Sequence, residues 1–142
     1  MPISLNPQIA LMHIPYSQDL EKIEGYILGV PLAWQEILWS IHEFVLASSE
    51  QMHPCFKYKV PFYSTSKNIC FLNLRADKKA LDIGFMNGPE IEKEFTETQK
   101  LFSSPELKMI RHYKVLPFVW EEKQQEELAY ILECAINFGQ SH

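Results

Sequence analysis

The sequence predicts an α+β fold, a two-layer sandwich in which N-terminal and C-terminal helices pack on one face of an antiparallel meander sheet. Apolar residues recur at helical spacing in two segments near the start and in one at the end. Between them lie short apolar runs of strand length, separated by polar turn residues. Turns this short join antiparallel neighbours, so the strands are predicted to follow one another in a meander.

Length, charge and cysteine count limit the class of protein. The chain has 142 residues, enough for one domain whose core needs no disulfide or structural metal. Its net charge of -5 argues against binding to nucleic acid, and no apolar run approaches the roughly 20 residues of a membrane span. The N-terminus lacks the basic segment of a secretory signal. Three scattered cysteines, Cys55, Cys70 and Cys134, indicate free thiols in a cytoplasmic protein.

The chain is predicted to open with an irregular arm, residues 1–17, which holds three prolines and no clear periodicity. Residues 18–142 are predicted to form a single α+β domain. Its first helix begins with Ser17 as the capping residue, because a serine hydroxyl can accept a bond from the first backbone amides. Gly29 ends that helix.

The second helix has the clearest pattern in the sequence. Pro31 suits its first position, where a missing N–H costs nothing. Apolar residues recur every three or four positions from Trp34 to Val45, which predicts one buried stripe. His42 lies near the edge of that stripe and is predicted to be a boundary residue rather than a metal ligand.

The first strand is predicted over Phe56–Val60, where aromatic and lysine residues alternate. Alternate residues of a strand share a face. Phe56, Tyr58 and Val60 are therefore predicted to face the helices, which leaves Lys57 and Lys59 on the open face of the sheet.

Three further strands and the closing helix complete the fold. The apolar run ICFLNL predicts a central strand, and the turn residues Asn87-Gly88 end the next one. A polar loop with a short helix from Pro89 fills residues 89–105. In the last strand the pattern leaves open whether Arg111 or the pair His112 and Lys114 lies on the open face, with Asp82 as counter-charge. The predicted strands are Ile69–Leu74, Leu81–Met86 and Met109–Leu116, and the predicted helix is Glu121–Phe138.

Taken in this order, several segments resemble the YdhG-like domain-of-unknown-function family. The resemblance covers about residues 20 to 137, and its motifs are fairly specific together and weak singly. It is carried by Ile23-Glu24-Gly25-Tyr26-Ile27 through Pro31, by the run Phe56 to Tyr63, by Lys67 with Ile69 to Asn73, by Asp82 to Gly88 with its Gly-Phe-x-x-Gly pattern, and by Arg111 to Lys114 with the last helix.

The resemblance implies a frataxin-like fold for a family whose members mostly have no assigned activity. One member has been proposed as a frataxin-like iron chaperone, and frataxins carry an acidic first helix and an acidic strand edge. The first helix of this chain is similar in carrying Asp19, Glu21 and Glu24. These three residues are the iron ligands that the iron-chaperone alternative predicts. The first strand here is basic instead, with Lys57 and Lys59.

No motif of catalysis stands out, and no catalytic residue is predicted. The sequence holds no GxSxG, no P-loop and no HExxH. His53 and Cys55 stand two apart, so on an extended chain they point to the same side and could start a site. No second pair stands at a spacing that would complete a metal site.

These observations favour a small cytoplasmic binding or interaction domain without resident cofactor. Its predicted ligand is a small anionic molecule or an acidic protein surface, with a homodimer as a further alternative and no role for nucleic acid or membrane. The frataxin-like iron chaperone is the second hypothesis, and an enzyme ranks third. Gly84 and Gly88 mark either a bulge and a turn or a close approach of backbone to ligand. The predicted binding residues are Lys57, Tyr58, Lys59, Lys67, Gly84, Phe85, Gly88, His112 and Lys114.

Overall fold

The computed structural model describes residues 16–103 and 107–139, so the predicted arm lies almost wholly outside the described residues. The predicted α+β class is confirmed. Five strands form one open sheet in chain order, β1-β2-β3-β4-β5, with two helices before them and a long one at the end. The chain divides into two compact units, Met1–Asn68 and Ile69–His142, which are described separately.

Among the described residues of the first unit, two helices come first. Helix α1 spans Ser17–Leu28 and buries Ile23 and Ile27. The prediction of a Ser17 cap is wrong, because Ser17 is already the first helical residue and the N-cap position is held by Tyr16, which makes no side-chain capping bond to the helix. Gly29 ends α1 as predicted.

Helix α2 spans Leu32–Leu46, and Pro31 is its N-terminal flanking residue. The buried side of α2 matches the predicted stripe, with Leu38, Ile41 and Val45 fully inaccessible. The boundary assignment of His42 is wrong, because its side chain is also fully buried. Its Nδ1 lies 2.6 Å from the hydroxyl of Tyr63, itself fully buried, so a hydrogen bond compensates the burial of both polar groups.

The predicted first strand is in fact a β-hairpin. Strand β1 spans His53–Lys57 and strand β2 spans Val60–Ser64, with Lys57 paired to Val60. Tyr58 and Lys59 form the two-residue turn, with φ of 53° and 65°. Positive φ at both central residues is the geometry of a type I′ turn, whose twist matches that of the strands. Tyr58 therefore does not face the helices; it is 87% exposed.

Relieving the backbone strain at this turn should stabilise the protein. A left-handed conformation costs a residue with a Cβ roughly 1 kcal/mol, and glycine avoids that cost. We expect Lys59→Gly to raise the free energy of unfolding by about 1 kcal/mol in urea titrations. Lys79→Gly is the matched control, since Lys79 is also an exposed turn lysine but lies outside the left-handed region. An equal gain in both variants would contradict the assigned turn strain.

Helix α1 also contacts the first strand of the hairpin. The carboxylate Oδ1 of Asp19 accepts a hydrogen bond of 3.0 Å from the backbone N–H of Phe56. Phe56 pairs with Pro61 across the hairpin. The side chain of Asp19 is thereby fixed between α1 and β1.

The second unit contains the remaining strands except for Asn68, the first residue of β3, which is the last residue of the first unit. Strand β3 spans Asn68–Leu74, β4 spans Leu81–Met86 and β5 spans Ile110–Val115, and the β3–β4 and β4–β5 pairs are antiparallel. Leu72, Ile83 and Tyr113 are buried side chains on one face, as their register pairing requires. The positions predicted for these three strands are thus confirmed to within one residue at every end.

Two short helices and the closing helix follow β4. Helix α3 spans Gly88–Glu94 after Asn87, whose φ of 58° confirms the predicted turn, and a 3-10 helix spans Thr96–Lys100. Helix α4 spans Glu122–Asn137 and opens with a capping box in which Glu121 and Gln124 bond to each other's backbone N–H. None of the helices in the described ranges is long and apolar enough to cross a membrane.

Candidate functional site

A polar cleft of about 390 Å³ lies within the first unit, and we call it the hairpin cleft. One wall is formed by His53, Cys55 and Lys57 of β1. Segment 64–68, which begins with the last residue of β2, also lines the cleft and carries three hydroxyl residues, a lysine and an asparagine. Tyr16 and Asp19 of the α1 region close one side. The volume is in the range of small-molecule sites.

Strand alternation places the three β1 side chains together. His53, Cys55 and Lys57 stand two apart, so they share one face of the strand. The prediction that His53 and Cys55 point to the same side is confirmed, since both line the cleft. The ring of Tyr16 stacks on His53 with the centroids 4.7 Å apart and the planes 13° from parallel.

The side chain of Asn68 connects segment 64–68 to Lys57 of β1 through hydrogen bonds. Its Oδ1 accepts a 2.8 Å hydrogen bond from the Ser64 hydroxyl and a 3.2 Å hydrogen bond from the ammonium of Lys57. The backbone N–H of Thr65 donates to the carbonyl of Lys67 at 2.9 Å and closes the loop between them. Lys57 and Lys67, two predicted binding residues, thus border the same cleft.

Cys55 is the half-exposed thiol of the three, while Cys70 and Cys134 are buried, and all three are free as predicted. Burial raises the pKa of the Cys55 thiol, and the negative charge of Asp19 adds to the rise. The Ser64 hydroxyl and the charge of Lys57 act in the opposite direction without overcoming burial. The thiol is therefore protonated near neutral pH, which does not fit an activated nucleophile.

The other predicted binding residues lie elsewhere. Tyr58 and Lys59 form the hairpin turn and do not line the cleft. In the second unit, Phe85 is fully buried and its ring lies 5.7 Å from that of Phe102, so it belongs to the core. A Cβ built on Gly84 would lie 2.2 Å from the ring of Phe71, its partner in β3. Gly84 thus makes room for an aromatic ring of the chain itself.

His112 and Lys114 of β5 lie on the same face of the sheet as Asp82 of β4, because Asp82 pairs with Lys114 in register. The sequence left open whether Arg111 or the pair His112 and Lys114 shares a face with Asp82, and the register shows that it is the pair. Arg75, which the sequence did not single out, forms two 2.9 Å hydrogen bonds to the buried carboxylate of Asp82. His112 Nδ1 lies 3.8 Å from the same carboxylate. The negative charge of Asp82 is therefore already compensated by Arg75.

A smaller cleft of about 230 Å³ in the second unit includes Lys114 in its lining. At its wall the hydroxyl of Tyr113 donates a 2.7 Å hydrogen bond to Glu127. Burial, followed by this bond, raises the pKa of Tyr113 well above its ordinary value. Tyr113 is thus a neutral hydrogen-bond donor held to Glu127.

The carboxylates of the iron hypothesis do not converge on one point. Residues two apart on a helix point to nearly opposite sides, and Asp19 faces β1 whereas Glu21 and Glu24 are exposed. Within residues 16–103 and 107–139, no group of three or more His, Cys, Asp or Glu side chains could hold a metal ion.

Sequence reasoning identified Lys57, Lys67 and the His53–Cys55 pair but missed the structural role of segment 64–68. Its composition of serine, threonine, lysine and asparagine directly after a strand was the available signal. Comparison of the chain with protein-family models, with curated proteins and with solved structures found no match.

Proposed function

We propose that this protein is a non-catalytic binding domain for a small anionic molecule and that the hairpin cleft is the binding site. The observation that carries this proposal is the placement of Lys57 and Lys67 at one cleft of about 390 Å³ with the hydroxyl residues Thr65 and Ser66, while the Ser64 hydroxyl already donates to Asn68. Ammonium and hydroxyl groups donate hydrogen bonds to carboxylate or phosphate oxygens. A protonated thiol in the lining of the cleft fits binding better than covalent catalysis.

We place the protein in the cytoplasm on the basis of its three free thiols, which are typical of reducing compartments. An acidic protein surface as ligand, or a second copy of the chain, would have to contact the half-buried Lys67 as well as the exposed Lys57. A small molecule meets that requirement more easily.

The accessible thiol supplies a binding assay for this proposal. We expect propyl phosphate or pentanoate to slow the reaction of Cys55 with a thiol reagent in a saturable manner, because a ligand in the cleft covers the thiol. Lys57→Gln with Lys67→Gln should weaken this protection about tenfold or more, since each lost charged hydrogen bond is worth at least about 1.4 kcal/mol.

Lys59→Gln is the matched control, because Lys59 is a lysine of the same hairpin outside the cleft. It should leave the protection unchanged. Two results would overturn the proposal: no protection of Cys55 in the native chain by any small molecule that carries a carboxylate or phosphate group, or equal protection in the native chain and the double variant.

A further inference from the structure

The hairpin cleft contains charges of both signs. Lys57 and Lys67 border it together with the carboxylate of Asp19. For a ligand that is only an anion, a carboxylate in the lining would be repulsive. We infer that the ligand of the hairpin cleft is a small zwitterion, whose acidic group binds at the lysines and whose ammonium group binds Asp19. This inference rests on the proposed function and adds the second charge of the ligand to it.

Asp19 is positioned to accept such an ammonium group. Its Oδ1 is used by the backbone N–H of Phe56 at 3.0 Å, which fixes the carboxylate. Among the described residues, no hydrogen bond reaches its Oδ2 and no basic side chain pairs with it. A carboxylate has room for about four hydrogen bonds, so Asp19 retains capacity for a ligand.

Lys57 is positioned to donate to the acidic group of the ligand. The ammonium of Lys57 is held by Oδ1 of Asn68 at 3.2 Å. An ammonium has three donors, and one bond to Asn68 leaves the others for an acidic group of the ligand. Fixing the side chain beforehand reduces the entropy that binding would cost.

Asp19 and Lys57 line the same cleft as the thiol of Cys55. The thiol of Cys55 experiences both: Asp19 raises its pKa and Lys57 lowers it. A compact ligand that covers Cys55 could therefore reach both charges at once. This requirement points to zwitterions with a short spacer, such as amino carboxylates and amino phosphates, and not to long polyions.

The experiment compares two isosteric pairs of probes by their protection of Cys55 from the thiol reagent. Phosphoethanolamine is compared with propyl phosphate, and γ-aminobutyrate with pentanoate; in each pair a methyl group replaces the ammonium. We expect the zwitterion of at least one pair to bind about tenfold more tightly, as one charged hydrogen bond would give.

Asp19→Asn should remove this preference. The asparagine oxygen can still accept from Phe56 N–H, so the contact between α1 and β1 is retained while the charge is lost. Glu21→Gln is the matched control, because Glu21 is an exposed carboxylate of the same helix outside the cleft. It should keep the preference of the native chain.

The outcomes separate the inference from the proposed function. Equal affinity for both members of each pair would overturn the zwitterion and leave the anion site intact. A preference that survives Asp19→Asn would also overturn it, because Asp19 would not be the partner. Failure of all four probes to protect Cys55 would overturn the zwitterion, and failure of every small molecule that carries a carboxylate or phosphate group would overturn both proposals.

Discussion

Replacing His42 by alanine should lower the free energy of unfolding by about 3 kcal/mol, from the cavity left in the core and the lost hydrogen bond. The imidazole is fully buried on α2, with its Nδ1 2.6 Å from the Tyr63 hydroxyl and its ring 5.6 Å from that of Trp39. Alanine has the higher helix propensity, but that gain of under about 1 kcal/mol is much smaller than the loss. Urea unfolding monitored by circular dichroism measures the difference.

A double-mutant cycle tests the bond itself. Tyr63→Phe removes only the hydroxyl and should cost about 1 kcal/mol. If the bond between His42 and Tyr63 carries that cost, the double variant should lose less stability than the sum of the two single variants. Glu36→Ala, an exposed change on α2, should have almost no effect. A loss below about 0.5 kcal/mol for His42→Ala would refute the assignment of this residue to the core.

Gly88→Ala should destabilise the protein by about 2 kcal/mol, the range of overpacked cores. A Cβ at this position would lie 2.5 Å from the backbone nitrogen of Arg111, which cannot move without disturbing β5. The side chain of Arg111 is also fixed, since its guanidinium bonds to Glu92 at 2.9 Å and to the carbonyl of Leu107. The close contact that requires a glycine at position 88 is therefore with Arg111 of β5 and not with a ligand.

Gly25→Ala is the control for this prediction. Gly25 lies inside α1, and a Cβ there would meet no atom within 4 Å. Alanine should therefore raise the free energy of unfolding by roughly 0.5–1 kcal/mol, the difference in helix propensity. Thermal and urea unfolding should show opposite signs for the two glycine variants. The same sign for both would mean that the contact with Arg111 does not decide the outcome at Gly88.

The sequence predicted the strands best where an apolar run was bounded by turn residues. Ile69–Leu74 and Leu81–Met86 had such boundaries, and both lie within one residue of the observed strands. The hairpin was missed because Tyr58 and Lys59 are not turn formers and because aromatic–lysine alternation matches a strand pattern. Tertiary pairing decided the conformation of these residues against their local preference.

The site was predicted in part for a similar reason. Lys57, Lys67 and the His53–Cys55 pair could be found from residue type and from strand alternation. The role of Asn68 could not, because it depends on hairpin register, which brings Ser64 and Lys57 to the same carbonyl oxygen. The burial of His42 was missed because its partner Tyr63 is 21 positions away in the sequence.

The bond between Asp19 and Phe56 has a consequence for association with other chains. Strand β1 is the first strand of the sheet, and a free amide row on such a strand would offer a template for intermolecular pairing. Pro54 has no N–H to offer, and the N–H of Phe56 is occupied by Asp19. Helix α1 thus protects this strand from aggregation, and a variant that loses the acceptor at position 19 would expose it.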